Sequence, residues 1–220
     1  MKNINYKTEL ILWLLLVAPI IYGIYVWGQL PDHIAIHFDL KGTPNGWGGR
    51  WAIFLTPVIS IFTYALLLFL PQVDPKRTED YEYTSMFSKI RVAVVIFLSA
   101  ISVFITYNAI SPFSELGIGR LMPVVVFLFI SVFGNFMINI KPNWFIGIRT
   151  PWTLSSDTVW RRTHQVVGRL WFYGGLVCAI LCSCPANKWT SALILAFLIG
   201  SVVFAFVYSF LLYKQEQKRI

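Results

Sequence analysis

Charged side chains are scarce in this sequence: they make up 13% of its 220 residues, whereas soluble domains carry about 25%. Hydrophobic residues account for 57%. Such a chain lacks the polar side chains that would cover a globular surface in water. The composition therefore excludes a soluble domain and predicts a membrane protein.

Ionisable residues are almost absent from six apolar stretches, each close to the ~20 residues that a helix needs to cross a bilayer. Backbone groups in lipid must be hydrogen-bonded internally, so we expect an all-α membrane protein with six transmembrane helices. Arg169, in the fifth stretch, is the single exception. Without intramembrane carboxylates, an ion-coupled transporter is disfavoured. The stretches are 10–28, 51–70, 92–110, 121–140, 166–184 and 190–213.

Cysteine is rare, and nothing in the sequence resembles a catalytic centre. Cys178, Cys182 and Cys184 lie on one predicted helix with no His or Cys partner nearby, which favours apolar packing over a metal site. No nucleophile accompanies His164, and no acyl-transfer or phosphoryl-transfer motif is present. We therefore expect neither enzymatic activity nor a cofactor.

Basic residues are distributed unevenly between the predicted loops. Fourteen of the 18 lysines and arginines fall on the side that also carries both termini. The positive-inside rule places this side in the cytoplasm. Because this bias accounts for the net charge of +8, we infer no direct binding of nucleic acid.

Loop lengths divide the sequence into two predicted halves with three spans each. Residues 1–110 carry an outer loop at 30–50, and residues 111–220 carry a cytoplasmic loop at 141–164. Both loops contain Gly, Pro and Trp in that order (GTPNGW and GIRTPW), which suggests two halves of inverted topology. The mixed-charge stretch 71–89 is typical of a solvated linker.

The outer loop combines two histidines with a glycine-rich end. Residues 33–38, HIAIHF, alternate apolar and polar side chains as an extended chain does. His33 and His37 would share one face, so a zinc site stays open beside a purely structural role. Turn-forming glycines follow, Gly46 among them. We expect His37, Gly46 and Trp47 to form a fixed binding surface over the first two spans.

Asn135 is the most polar residue inside the predicted spans, and it directly follows Gly134. An interhelical hydrogen bond beside a close glycine contact is one interpretation. A binding role is the other.

The cytoplasmic loop is rich in tryptophan and basic residues. Arg149 lies between apolar residues, which predicts a loop that folds back onto the membrane surface and an arginine that needs acceptors. We expect Arg149 to join the carbonyls ending the fourth helix to Asp157. Thr150, Pro151 and Trp152 would set the turn. A structural clamp and a docking surface for a cytoplasmic partner are both open.

A serine pair, Ser155 and Ser156, precedes an acidic residue and so predicts the start of a helix. Apolar residues then recur at helical spacing. Trp160 is one of them and is a further candidate for binding. This helix should continue into the fifth span.

Two long stretches resemble a known family. Residues 134–171, GNFMINIKPNWFIGIRTPWTLSSDTVWRRTHQVVGRLW, closely resemble the signature of the SdpI family of bacterial membrane immunity proteins. Residues 30–51, LPDHIAIHFDLKGTPNGWGGRW, resemble the small membrane domain of unknown function often found at the N-terminus of that family. Ala35 departs from that pattern, which usually has a proline there.

The resemblance implies six spans in a bacterial cell membrane and protection from a secreted toxin of the SDP type. It also implies signalling, in which a cytoplasmic repressor is recruited to the membrane. The expected partners are membrane lipids, the toxin peptide and the repressor. A transporter or flippase of an amphiphile and a structural membrane organiser are the alternative functions.

Overall fold

The computed structural model describes residues 6–38, 44–77, 81–111, 118–184 and 188–218. Seven helices and one two-stranded antiparallel hairpin occur in the described residues. Their order is α1 (Tyr6–Tyr25), β1 (His33–Phe38), β2 (Pro44–Gly49), α2 (Leu55–Val73), α3 (Tyr81–Ile110), α4 (Ile118–Met137), α5 (Pro151–Ser155), α6 (Asp157–Ser183) and α7 (Lys188–Gln217). Short 3₁₀ helices at Trp27–Gln29 and Arg50–Phe54 flank the hairpin.

Five segments of the described chain are long and apolar enough to cross a membrane. A shorter apolar helix, Leu121–Met137, coincides with the predicted fourth span. The helical class and the multi-pass membrane character agree with the prediction from hydropathy. The five segments are Tyr6–Tyr25, Arg50–Val73, Tyr83–Ile110, Asp157–Ser183 and Lys188–Gln217.

Five helices begin earlier than the apolar stretches from which they were predicted, α1 and α3 among them. Helix α1 begins at Tyr6 and so includes Glu9, and α3 begins at Tyr81 and so includes Arg91. The six apolar stretches themselves contain only Arg169, but the helices that hold two of them extend to Glu9 and Arg91. Hydropathy missed the two residues because a charge ends an apolar run, whereas the helix itself continues past it.

The helices form two compact units. The first contains residues 1–69 and 88–122. One face of α1 presents Leu12 and Leu16 to Tyr64 of α2 and Val95 of α3, and all four side chains are buried. The spacing of four residues places the two leucines on the same side of α1.

The hairpin closes a second cluster in the first unit. Ile34 of β1 is buried with Leu30, Ala52 and Ile53, and Ile110 at the end of α3 packs against them. The extended conformation predicted for residues 33–38 is confirmed by β1. The hairpin is thus anchored by one apolar side chain on the alternating strand.

The second unit contains residues 70–87 and 123–220. Glycines allow α4 and α6 to touch backbone to backbone: a Cβ on Gly134 would lie 2.6 Å from the Phe172 nitrogen. On Gly168 it would lie 2.8 Å from the Gly134 oxygen. The predicted close glycine contact in the fourth span is confirmed, and small residues at such contacts let membrane helices approach closely.

Candidate functional site

Asn143 organises the segment between α4 and α5. Its side chain is fully buried, and its amide nitrogen donates to the carbonyls of Lys141 (3.0 Å) and Ile146 (2.8 Å). The amide oxygen accepts from the N–H groups of Phe145 (2.8 Å) and Ile146 (2.6 Å). An asparagine amide has two donor hydrogens and one acceptor oxygen. All of them are used on the backbone of one short turn, which fixes its course.

Trp160 and His164 form the floor beneath this turn. Both side chains are fully buried, and their rings stack with centroids 4.1 Å apart. The Trp160 indole N–H donates to the carbonyl of Ile140, 3.0 Å away, just beyond the end of α4. The His164 Nδ1 lies 2.7 Å from the Trp160 carbonyl, and Nε2 accepts from the Ile148 N–H at 2.8 Å. This pattern requires the neutral tautomer that carries its proton on Nδ1.

Gly147 lies directly on these two rings. Its φ of +128° is the only positive φ among the described residues. An added Cβ would lie 2.6 Å from His164 Nε2 and 3.1 Å from the Trp160 ring. Only glycine combines this backbone conformation with so close a contact.

Thr150 caps α5 as part of a reciprocal capping box with Thr153. Pro151 occupies the first turn of α5, where its missing N–H costs nothing. The Thr150 hydroxyl also donates to the Ser209 hydroxyl of α7, 3.0 Å away. The predicted turn at Thr150 and Pro151 is therefore the start of a short helix, tied to α7 by a buried hydrogen bond.

Trp152 of α5 packs against α7. Its ring meets Phe206 edge-on at 4.8 Å and Phe210 at 5.0 Å between centroids. Aromatic pairs at such distances add to the energy of apolar burial. Trp152 is therefore a packing residue in this structure.

Asp74 ties the region before α3 to the same segment. This buried carboxylate accepts from the Tyr83 hydroxyl (2.5 Å), the Trp144 N–H (3.1 Å) and the Lys76 N–H (2.9 Å). The expectation that 71–89 is only a solvated linker is therefore wrong. A mixed-charge composition does not reveal that one buried carboxylate will accept hydrogen bonds from three donors.

Arg149 does not make the predicted clamp. Its side chain is exposed, and it forms no hydrogen bond or ion pair with any described residue. Asp157 pairs instead with Lys76 at 3.3 Å, and the Trp160 indole bonds at the end of the fourth span. Both predicted acceptors are used, but Lys76 binds Asp157 and Trp160 binds the Ile140 carbonyl in place of Arg149.

Asn135 is also exposed and makes no hydrogen bond within the described part of the chain. The interhelical bond at α4 is made by Ser131, whose hydroxyl donates to the Phe172 carbonyl at 2.8 Å. The predicted hydrogen bond of Asn135 is therefore wrong. The close contact with α6 is made by the neighbouring Gly134.

The start of α6 agrees with the prediction from the serine pair. Ser156 is the N-cap, and its hydroxyl accepts from the Val159 N–H at 3.2 Å. The helix then runs without interruption to Ser183.

The hairpin presents the second group of predicted residues. His37 pairs with Gly46, and its Nδ1 meets the Asn45 side-chain oxygen. A Cβ on Gly46 would lie 2.8 Å from the His37 Cβ, so the absence of a side chain at Gly46 allows β1 and β2 to approach closely there. The prediction of a turn at Gly46 is wrong, because the residue lies in β2. Residues 39–43 lie outside the described chain.

Large apolar side chains are exposed on the hairpin and directly after it. Trp47 and Ile36 of the two strands are 62% and 54% exposed, and Trp51 of the following 3₁₀ helix is 60% exposed. Within the described residues, no group of three His, Cys, Asp or Glu side chains is placed to hold a metal ion. The hairpin therefore offers a contact surface for apolar partners.

One largely buried network of polar side chains was not predicted from the sequence. Arg91 of α3 forms an ion pair with Glu9 of α1, and Tyr64 of α2 donates to the same carboxylate at 2.5 Å. The Arg91 guanidinium lies 5.4 Å from the centre of the Tyr64 ring. One carboxylate thus joins three helices of the first unit. The signal was present in the sequence as two single charges that directly precede apolar runs.

Two family models each match one part of the chain. The family described as SdpI/YfhL matches residues 139–209, which include the segment built around Asn143, all of α6 and most of α7. A domain of unknown function, DUF1648, matches residues 14–61, which include the hairpin. No curated protein and no solved structure matches the chain.

Proposed function

Since the chain belongs to the SdpI/YfhL family, we propose that it is a bacterial membrane immunity protein that protects its host from a secreted peptide toxin of the SDP type. The observation that carries this proposal is the extent of the family match. It covers the rigid segment between α4 and α5 together with the two helices that hold it. The role is non-catalytic, because protection and signalling by this route require binding surfaces only.

The hairpin is the proposed contact for the toxin. The positive-inside argument supports an outer position for it, with both termini in the cytoplasm. Two large apolar side chains, Ile36 and Trp47, stand exposed on the two strands, and Trp51 is exposed in the 3₁₀ helix that follows them. Exposed apolar patches of this kind mark interaction sites. A membrane-active peptide would bury its apolar face against them.

The segment between α4 and α5 is the proposed docking surface for a cytoplasmic repressor. Arg149 and Trp144 are exposed on it, Trp144 at 48%, and the adjoining Leu154 of α5 is 37% exposed. Asn143 and Gly147 hold the backbone beneath, so little conformational entropy would be lost on binding. The repressor would be captured by protein contacts, and the chain itself would not touch DNA.

Survival of a toxin-sensitive bacterium tests the proposal. Cells that express the chain should survive challenge with the toxin, and Trp47→Ala should reduce their survival at equal membrane abundance. Trp189→Ala is the matched control, because Trp189 is 72% exposed at the beginning of α7, an end of the helix that is predicted to face outward. No protection by the wild-type chain, or equal loss with both variants, would refute the assignment.

Movement of an amphiphile across the bilayer is the second candidate, and the buried Glu9–Arg91 pair favours it. Ionisable groups inside membrane helices commonly mark transport pathways. The Arg91 Nε atom is buried without a hydrogen-bond partner among the described residues. Transport predicts that vesicles containing the protein move a fluorescent lipid or toxin peptide and that Glu9→Gln slows this movement. Vesicles that show no movement above protein-free vesicles exclude this candidate.

A further inference from the structure

A groove lined by both polar and apolar side chains separates the beginning of α6 from the end of α7 in the second unit. Its volume is about 180 Å³. The first turns of one helix and the last turns of the other form its walls. The lining residues are Thr158, Val159, Arg162, Leu212, Gln215 and Glu216.

Two opposite charges face this groove without neutralising each other. Arg162 and Glu216 both line it, yet neither has an ion-pair partner among the residues that the structure describes. Arg162 is exposed and Glu216 is half-buried. A ligand that carries a separated negative and positive charge would complement both.

The lengths of α6 and α7 indicate where the groove lies relative to the bilayer. With 27 residues, α6 is about 40 Å long, and α7, with 30 residues, is about 45 Å long. The hydrocarbon core of a bilayer is only about 30 Å thick. Both helices therefore extend into the headgroup layer. The groove lies at the beginning of α6 and the end of α7, whereas the exposed Val207 and Leu211 precede it in α7.

We propose that this groove binds the headgroup of a zwitterionic phospholipid that carries a primary ammonium, the chemistry of phosphatidylethanolamine. The Arg162 guanidinium and the Thr158 hydroxyl bind the phosphate, and the Glu216 carboxylate accepts hydrogen bonds from the ammonium. Leu212 contacts the beginning of the acyl chains. An anionic lipid without an amine would bring its charge against Glu216, and a quaternary ammonium has no N–H to donate.

Native mass spectrometry of the full-length protein in detergent tests this site. The protein is offered phosphatidylethanolamine, phosphatidylglycerol and phosphatidylcholine with matched acyl chains. We expect preferential retention of phosphatidylethanolamine. Arg162→Ala and Glu216→Gln should each weaken it about tenfold, as expected for one lost charge-assisted hydrogen bond. Arg169→Ala and Gln217→Ala are the controls on the same two helices and should retain the lipid.

Three results would overturn the proposal. The first is equal retention of phosphatidylglycerol and phosphatidylethanolamine by the wild-type protein. The second is unchanged preference in Glu216→Gln, a variant of the same shape that keeps the fold even if Arg162→Ala does not. The third is failure of free phosphoethanolamine to displace the bound lipid, which would assign the binding to the acyl chains.

Discussion

Gly147→Ala should loosen the segment between α4 and α5 more than any other single methyl group there. The new Cβ would lie 2.6 Å from His164 Nε2, the atom that accepts the Ile148 N–H. The φ of +128° adds strain for any side chain with a Cβ. The variant therefore has to move the imidazole, the backbone, or both.

The magnitude follows from these two effects. A non-glycine residue in a sparsely populated backbone region costs about 1–3 kcal/mol. Losing the buried hydrogen bond to His164 costs about 1–3 kcal/mol more, because Ile148 keeps an unsatisfied N–H. Together the two effects cost about 2–6 kcal/mol in the free energy of unfolding, which corresponds to a fall in Tm of roughly 4–24 °C for a chain of this length.

Thermal unfolding followed by tryptophan fluorescence measures this effect, since the Trp160 ring stacks on His164. Gly200→Ala is the matched control. Gly200 lies within α7, and an added Cβ there meets no atom within 4 Å. Alanine favours helix, so this control should unfold at the same or a higher temperature. If both variants unfold together, Gly147 does not hold the turn as argued.

Three further substitutions test separate contacts. Thr150→Ala should lower the free energy of unfolding, measured by thermal unfolding, by about 2–3 kcal/mol, because it removes the helix cap and the hydrogen bond to α7. Thr150→Ser keeps a hydroxyl that can make both interactions, so it should retain most of the stability. Arg91→Met should cost about 3–5 kcal/mol because it leaves the Glu9 carboxylate buried and unpaired, and adding Glu9→Gln should recover much of this loss in a double-mutant cycle. Arg149→Ala should change stability by less than about 0.5 kcal/mol, since the side chain is exposed, yet abolish co-purification of the repressor. A large loss of stability in Arg149→Ala, or normal recruitment, would contradict the docking role.

Features that depend on local composition could be predicted from the sequence. The membrane class follows from long uncharged runs, because a bilayer tolerates few charges in its core. The start of α6 follows from Ser156, whose hydroxyl caps a backbone N–H three residues ahead. The extended conformation of β1 follows from alternating side chains. In each case the residues that determine the feature lie within a short stretch of the sequence, close to the residues that predict it.

Only the tertiary structure decided which distant groups meet. Arg149 and Trp160 could both have supplied the donor at the end of the fourth span, but only the Trp160 indole reaches it. Asp74 and Trp144 are 70 residues apart in sequence, and nothing local marks their hydrogen bond. Hydrogen bonds depend on distances of about 3 Å. Such distances arise when whole helices pack, so they are not encoded in any short stretch of the chain.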